Sequence, residues 1–204
     1  MRTPPLALIL LALLAVPRFL PAADPPSEYA TLLAALKAGN TDVDYTRLRL
    51  SYMDSPEYKQ AKDTTAPEKA MFDALNAKDF PGALKNAQAV LESEYVNIDA
   101  HYVALVANRE MGNADKAEFH RAIFRGLVNS IRNSGDGSSP EKAWVVISVH
   151  EEYVLLRALG MRPGQQAVMH QNGHSYDEMT VKDGDGTEHK FYFNVDIPFK
   201  HYGV

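Results

Sequence analysis

Cysteine is absent from the 204 residues. The chain therefore closes no disulfide, offers no thiol nucleophile and cannot be lipidated at an N-terminal cysteine. Tryptophan occurs once, at position 144. No run of lysine and arginine resembles a phosphate-tracking stripe, and Asp plus Glu outnumber Lys plus Arg by 26 to 21, so nucleic acid is not an expected partner. Long apolar runs are also missing, with one exception at the N-terminus, from Leu6 to Val16. That run is shorter than the roughly 20 residues a helix needs to cross a bilayer core, and Pro17 and Arg18 interrupt it.

What the run does fit is an export signal. Arg2 supplies the positive start, and the small Ala22 and Ala23 precede the polar Asp24-Pro25-Pro26. Residues 1–23 are read as a cleaved signal peptide and residues 24–204 as one domain, periplasmic or secreted, with no stable membrane span after cleavage. Without Arg2 and Arg18 the domain holds 19 basic against 26 acidic residues, a formal charge of about −7. A domain of about 180 residues can bury a sufficient core without disulfides.

Tyr29, Leu32, Leu33 and Leu36 recur at helical spacing until Gly39-Asn40, and Tyr45, Leu48 and Tyr52 form a second stripe that Ser55-Pro56 is expected to close. Arg47 and Arg49 are expected to project away from that stripe, and the polar stretch from Lys59 to Pro67 reads as a loop. Further on, Asp79-Phe80-Pro81-Gly82-Ala83-Leu84 is echoed by Asn113-Ala114-Asp115-Lys116-Ala117-Glu118, an offset of 34 residues. That period, with Gly112 at a turn and small residues at Ala83, Ala100 and Ala117, resembles tetratricopeptide helical hairpins over residues 67–132. The pattern departs from that motif at Met71 and Leu105, where a small residue is usual, and no third repeat precedes it. Two such hairpins need capping by the flanking segments.

The apolar helix that ends the second hairpin stops at Asn133-Ser134-Gly135-Asp136-Gly137. Ser139-Pro140-Glu141 reads as a helix start, Trp144 to Val149 as a strand and Glu151 to Leu159 as a helix. A β-meander follows, with its turn at Asp183-Gly184-Asp185-Gly186. Phe191, Phe193 and Val195 share one face with Met179 and Val181, while Lys190, Tyr192 and Asn194 point the other way. The expected fold is α+β: an N-terminal helical layer with two helix-turn-helix hairpins, packed on a small C-terminal antiparallel sheet, with the strand-helix and meander spanning 143–199.

Four stretches give a resemblance across nearly the whole mature chain: Val43-Asp44-Tyr45 with Leu48 to Tyr52, Asn133 to Gly137, Gly173-His174-Ser175-Tyr176-Asp177, and Phe193 to Phe199. Together they resemble the domain of unknown function 4919 family. The resemblance implies an exported bacterial protein and supplies no mechanism.

Candidate chemistry is sparse. His170 and His174 lie four apart, but Asn172-Gly173 between them argues for a turn, so a metal site from His170, His174 and Asp177 would have to form across a hairpin. The alternative is a polar turn. Asp183 and Asp185 lack the remaining ligands of a calcium loop. Ser148 and Ser175 would serve as nucleophiles only if folded against His150 or His174, and neither has a nucleophile-elbow glycine pattern. Glu151-Glu152 after His150 fit an acidic first turn facing the positive end of a helix dipole. Asn194 and Asp196, beside Tyr192, join His174 and Asp177 as ligand-binding candidates, against the plainer reading of a cap on the strand end. No catalytic residue and no cofactor is assigned. The expected function is a noncatalytic binding or scaffold protein with a protein or peptide partner in the cell envelope. The alternative is an exported metal-assisted hydrolase.

Overall fold

The computed structural model describes residues 25–202, so the reading of residues 1–23 as a signal lies outside them. Side-chain caps set the first helices. The Ser27 hydroxyl accepts from the Ala30 N–H at 3.0 Å to open α1 (Glu28–Lys37), and Asp44 accepts from the Arg47 N–H at 2.9 Å to open α2 (Tyr45–Met53). α2 ends at Met53, just before Ser55-Pro56 as expected, but a new helix starts there. Ser55 caps the Tyr58 N–H and Pro56 takes the first position of a short α3 (Pro56–Lys59), where its missing N–H costs nothing. The expected loop shrinks to residues 60–64.

Four longer helices follow: α4 (Thr65–Asn76), α5 (Phe80–Ser93), α6 (Ile98–Glu110) and α7 (Ala114–Arg132). The 34-residue offset is present in the backbone. Lys78 and Gly112 each take a positive φ, 59° and 78°, at the tip of a hairpin, and Asp79 and Asn113 are the next residues at the helix starts. Small side chains make the close approach. Ala83, Ala87, Ala100, Ala104 and Ala107 are fully buried with Met71, Val90 and Val103 in a separate core.

The hairpins are flanked on both sides. On one side α2 lies on α7 so closely that a Cβ at Gly126 would stand 2.3 Å from the Tyr45 ring. On the other, α8 (Val149–Ala158) packs on α6 and α7, extending the row begun by α4 and α6. Among the described residues no helix is long and apolar enough to cross a membrane.

The sheet contains β1 (Trp144–Val145), β2 (Arg162–Gln171), β3 (His174–Lys182) and β4 (Glu188–Asn194), in the order β1-β4-β3-β2. The meander pairs antiparallel as expected, with Met179 opposite Phe191 and with Val181, Phe193 and Val195 buried. Its turn is held by Asp183, whose carboxylate accepts from the Asp185 and Thr187 N–H groups. Three expectations need correction. The helix expected at Ser139 is one 3-10 turn, Pro140–Lys142. The strand expected to Val149 ends at Val145 and runs parallel to β4, because the Ile147 N–H is taken by the Glu151 carboxylate at 2.9 Å. The meander expected to residue 199 ends at Asn194, and Phe199 belongs to a final helix, α9 (Asp196–Tyr202).

Asn133 to Gly137 folds round the single tryptophan. The Asp136 and Gly137 N–H groups donate to the Lys142 carbonyl, and the Gly137 carbonyl accepts from the Tyr192 N–H. Trp144 rests on Phe191 and Phe193, with ring centroids 5.0 and 5.4 Å apart.

Candidate functional site

Three consecutive polar residues open α8, and successive residues of a helix point about 100° apart. His150, Glu151 and Glu152 therefore reach three different parts of the molecule. Glu151 and Glu152 stand in the first turn of α8 as expected, but at 4% and 0% exposed they are buried there. Each carboxyl has a distant partner.

Glu151 meets Arg49, which is buried on α2 rather than projecting to solvent. The guanidinium donates through Nε to the carboxylate, through Nη1 to the Ser130 hydroxyl at 2.5 Å and through Nη2 to the Val145 carbonyl at 2.5 Å. One side chain thereby joins α2, α7, β1 and α8. Burial pushes the Glu151 carboxyl up, while Arg49 and the Ile147 N–H pull it down.

Glu152 turns to the sheet. Its neighbour is Asp177 on β3, 2% exposed, and burial together with that second carboxylate pushes Glu152 up to about 9. Oε1 of Glu152 and Oδ1 of Asp177 have no hydrogen-bond partner among the described residues. Their outer oxygens receive the Gln166 amide, at 2.5 Å to Asp177 and 3.4 Å to Glu152, and Gln166 in turn accepts from the Tyr153 hydroxyl at 2.8 Å.

His150 and Arg157, seven residues apart and so on one face of α8, converge on Asp99 of α6. Burial alone would raise Asp99, but the hydrogen bonds and charges of His150 and Arg157 hold it below the usual carboxylate range. The same contact raises His150, supported by the charges of Glu68 and Glu94. Beside this cluster lies a cleft of about 280 Å³ between α4, α6, α7 and α8, lined by Phe72, Tyr102, Phe124 and Val154 together with the buried Asp99 and the exposed Arg157. Tyr102 packs against Phe124 in a tilted arrangement with centroids 5.8 Å apart, yet stays 40% exposed. The Arg157 side chain is 58% exposed.

A second buried polar pair sits inside the hairpins. His101 Nε2 lies 2.9 Å from the Tyr95 carbonyl and must donate to it, which leaves Nδ1 to accept from His120 Nδ1 at 3.0 Å. Burial lowers His101 to about 3 and His120 to about 4, so both are neutral.

The residues singled out in the sequence are placed otherwise. His174 and Asp177 are three apart on β3 and face opposite sides of the sheet, because side chains alternate along a strand. His170 stands opposite Ser175 and contacts its hydroxyl at 3.0 Å. His170, His174 and Asp177 are therefore not gathered, and no group of three or more metal-ligating side chains occurs among the described residues. His174, Asn194 and Asp196 do come together. The Asp196 carboxylate accepts from His174 Nδ1 at 2.6 Å, the Ser175 N–H at 2.7 Å and the Asn194 amide at 3.1 Å, and Asn194 accepts from the Asp196 N–H. This is a clasp that ends β4 and starts α9. Tyr192 pairs across from Glu178, which also holds Lys190 at 2.8 Å. Sequence reasoning missed Asp99, Tyr102 and Arg157; the seven-residue spacing of His150 and Arg157 was the one available signal.

Residues 25–203 match the family described as Domain of unknown function (DUF4919), and the chain belongs to it. No curated protein and no solved structure matches the chain.

Proposed function

We propose that this member of the family is an exported, noncatalytic binding protein of the cell envelope, and that its ligand is an extended peptide seated in the cleft between α4, α6, α7 and α8. The observation that carries the reading is a large aromatic side chain, Tyr102, left 40% exposed over an apolar cleft whose rim holds an accessible arginine. At about 280 Å³ the cleft lies below the roughly 300–1,000 Å³ usual for sites that enclose a small molecule. It fits one apolar side chain projecting from a longer chain. Arg157 has five N–H donors and spends few of them on Asp99, so it can also take a carboxylate from the ligand. The favoured sequence is an aromatic or branched apolar residue next to Asp or Glu.

The tetratricopeptide-like reading supports this choice of face. In such arrays the first helices of successive hairpins line the binding side, and here α4, α6 and α8 form that row. The inference from fold is by analogy. Export rests on the Arg2 to Ala23 pattern and is tested by N-terminal sequencing of protein recovered from fractionated cells, where a start near Asp24 is expected.

The binding test uses fluorescein-labelled peptides with Phe or Leu flanked by Asp, read by anisotropy. Tyr102→Ala and Arg157→Ala are each expected to weaken binding about tenfold or more, as truncation of an aromatic or arginine anchor does. Peptides that bind the parent and both variants equally, or bind none of them, overturn the reading. The hydrolase alternative has no comparable support, since its ligand set is not assembled.

A further inference from the structure

Asp99 has little access to water, and its two oxygens are divided between two cationic side chains of α8. Its side chain is 4% exposed; Oδ2 faces His150 Nε2 at 3.0 Å, and Oδ1 accepts from Arg157 Nη2. A carboxylate buried to that degree depends on the positive charge supplied to it. Both donors reach Asp99 from the solvent side, with His150 44% and Arg157 58% exposed. Of the two, Arg157 lines the cleft and His150 does not.

The donors differ in how they hold their charge. A guanidinium stays charged throughout the accessible pH range, whereas an imidazole changes charge near neutrality. With His150 protonated, one negative charge is shared by two positive ones, and the charge of Arg157 is left over for a ligand carboxylate. With His150 neutral, the imidazole N–H can still donate to Asp99, but the charge of Arg157 is spent on balancing that carboxylate. The hydrogen bonds persist while the preference for an acidic ligand is lost.

The surroundings of His150 favour its charged form. The Asp99 hydrogen bond outweighs burial and holds His150 above its ordinary 6.5, and the charges of Asp99, Glu68 of α4 and Glu94 just after α5 add to this. The hydrogen-bond partners of Glu68 and Glu94 are Thr64 and Asn97, which are neutral and leave both charges in force. On α8 itself the charged neighbours are Arg157 and Glu151, the latter balanced by Arg49 of α2. From α7 the cleft receives Phe124, and from β2 the helix receives Gln166, neither of which titrates.

We infer that His150 sets the specificity of the cleft without lining it: as an imidazolium it neutralises Asp99 and leaves Arg157 to an acidic peptide, and as a neutral imidazole it withdraws that preference. Acidic peptides are then held at low pH and released as pH rises through the titration of His150. The inference rests on the peptide reading of the cleft. Because His150 and Arg157 are both partly exposed, the effect is expected to be about three- to tenfold in affinity. By reciprocity a bound acidic peptide raises the His150 midpoint by about half a unit to one unit.

The test is calorimetric titration of two unlabelled peptides, one with Phe flanked by Asp and one with Asn in place of each Asp, from about pH 6 to about pH 9. The Asp peptide is expected to weaken about three- to tenfold across the range, and the Asn peptide by less than about twofold. His150→Gln is expected to bind the Asp peptide at the weaker, alkaline level at every pH. His150→Arg is expected to bind it tightly at every pH, a gain that misfolding would not give. The ring-proton resonance of His150 fixes the midpoint in the free protein, expected above 6.5. Binding of the Asp peptide that is independent of pH, or that keeps its pH dependence in His150→Gln, overturns this inference alone. So does a midpoint below 6.5. Failure of both peptides to bind at any pH overturns the peptide reading of the cleft, and this inference with it.

Discussion

The two hairpins and α8 are joined to the molecule in opposite ways. Between α4, α5 and α6 the contact is made by fully buried alanines together with Met71, Val90 and Val103, none with a hydrogen-bonding side chain, so stability there depends on helices approaching closely. α8 is held by charged side chains that reach three elements: His150 and Arg157 to Asp99 of α6, Glu151 to Arg49 of α2 and Glu152 to Asp177 of β3. An apolar seam tolerates exchange of one small side chain for another if volume is kept. A charged seam depends on every partner being present.

The largest expected effect separates the two. Arg49→Ala leaves Glu151 without its charge partner inside the core and is expected to cost about 3–5 kcal/mol in urea unfolding. Replacing both members, Arg49→Met with Glu151→Leu, is expected to recover most of that loss, which a simple packing defect would not. Next comes the alanine seam, where Ala104→Leu is expected to cost about 1–3 kcal/mol through overpacking.

Protonation sharpens the contrast further. Glu152 keeps its proton in the fold up to about pH 9, while the unfolded chain releases it near its ordinary value of 4.5. Its contribution is complete below 4.5 and is lost as pH rises through about 9. Glu152→Gln is expected to flatten this alkaline limb and to be more stable than the parent, by on the order of 1–3 kcal/mol above it. His101 and His120 act in the other direction. Their folded values, about 3 and about 4, lie below 6.5, so stability is lost as pH falls from 6.5 toward 4. His120→Gln is expected to reduce that acid limb, followed by thermal melts across the range. Smallest of all, Lys69→Ala removes an exposed pair with Asp73 on α4 and is expected to change stability by no more than about 0.5 kcal/mol.

The legible parts of the fold share a physical property: their signals are local. The offset between Ala83 and Ala117 predicted two hairpins because a turn and a close helix contact each need particular residues nearby. Asp183 to Gly186 predicted a hairpin because the turn is held by the Asp183 side chain itself. α9 was not legible, since Phe191, Phe193, Val195, Ile197 and Phe199 keep the two-residue period of a strand across the boundary. What breaks that period is the Asp196 carboxylate bound to the Ser175 N–H, a contact with β3. The candidate site was hidden for the same reason. Glu151 finds Arg49 across 102 positions and Arg157 finds Asp99 across 58, and nothing beside either residue marks the partner. Of the residues picked out beforehand, His174, Asn194 and Asp196 proved to be neighbours, but as a clasp rather than as ligands gathered in a cleft.

The parallel pairing of β1 with β4 also orders events in time. Trp144 and Val145 have no strand partner until Phe193 and Asn194, close to the chain's end, have been made. The hairpins consist of contacts near in sequence and can assemble early, while β1 and the loop around Trp144 wait for the last strand. A nascent chain halted before β4 would therefore hold formed hairpins and an uncovered indole. Trp144 fluorescence is then a clock for the final step of folding, separate from the helical signal that precedes it.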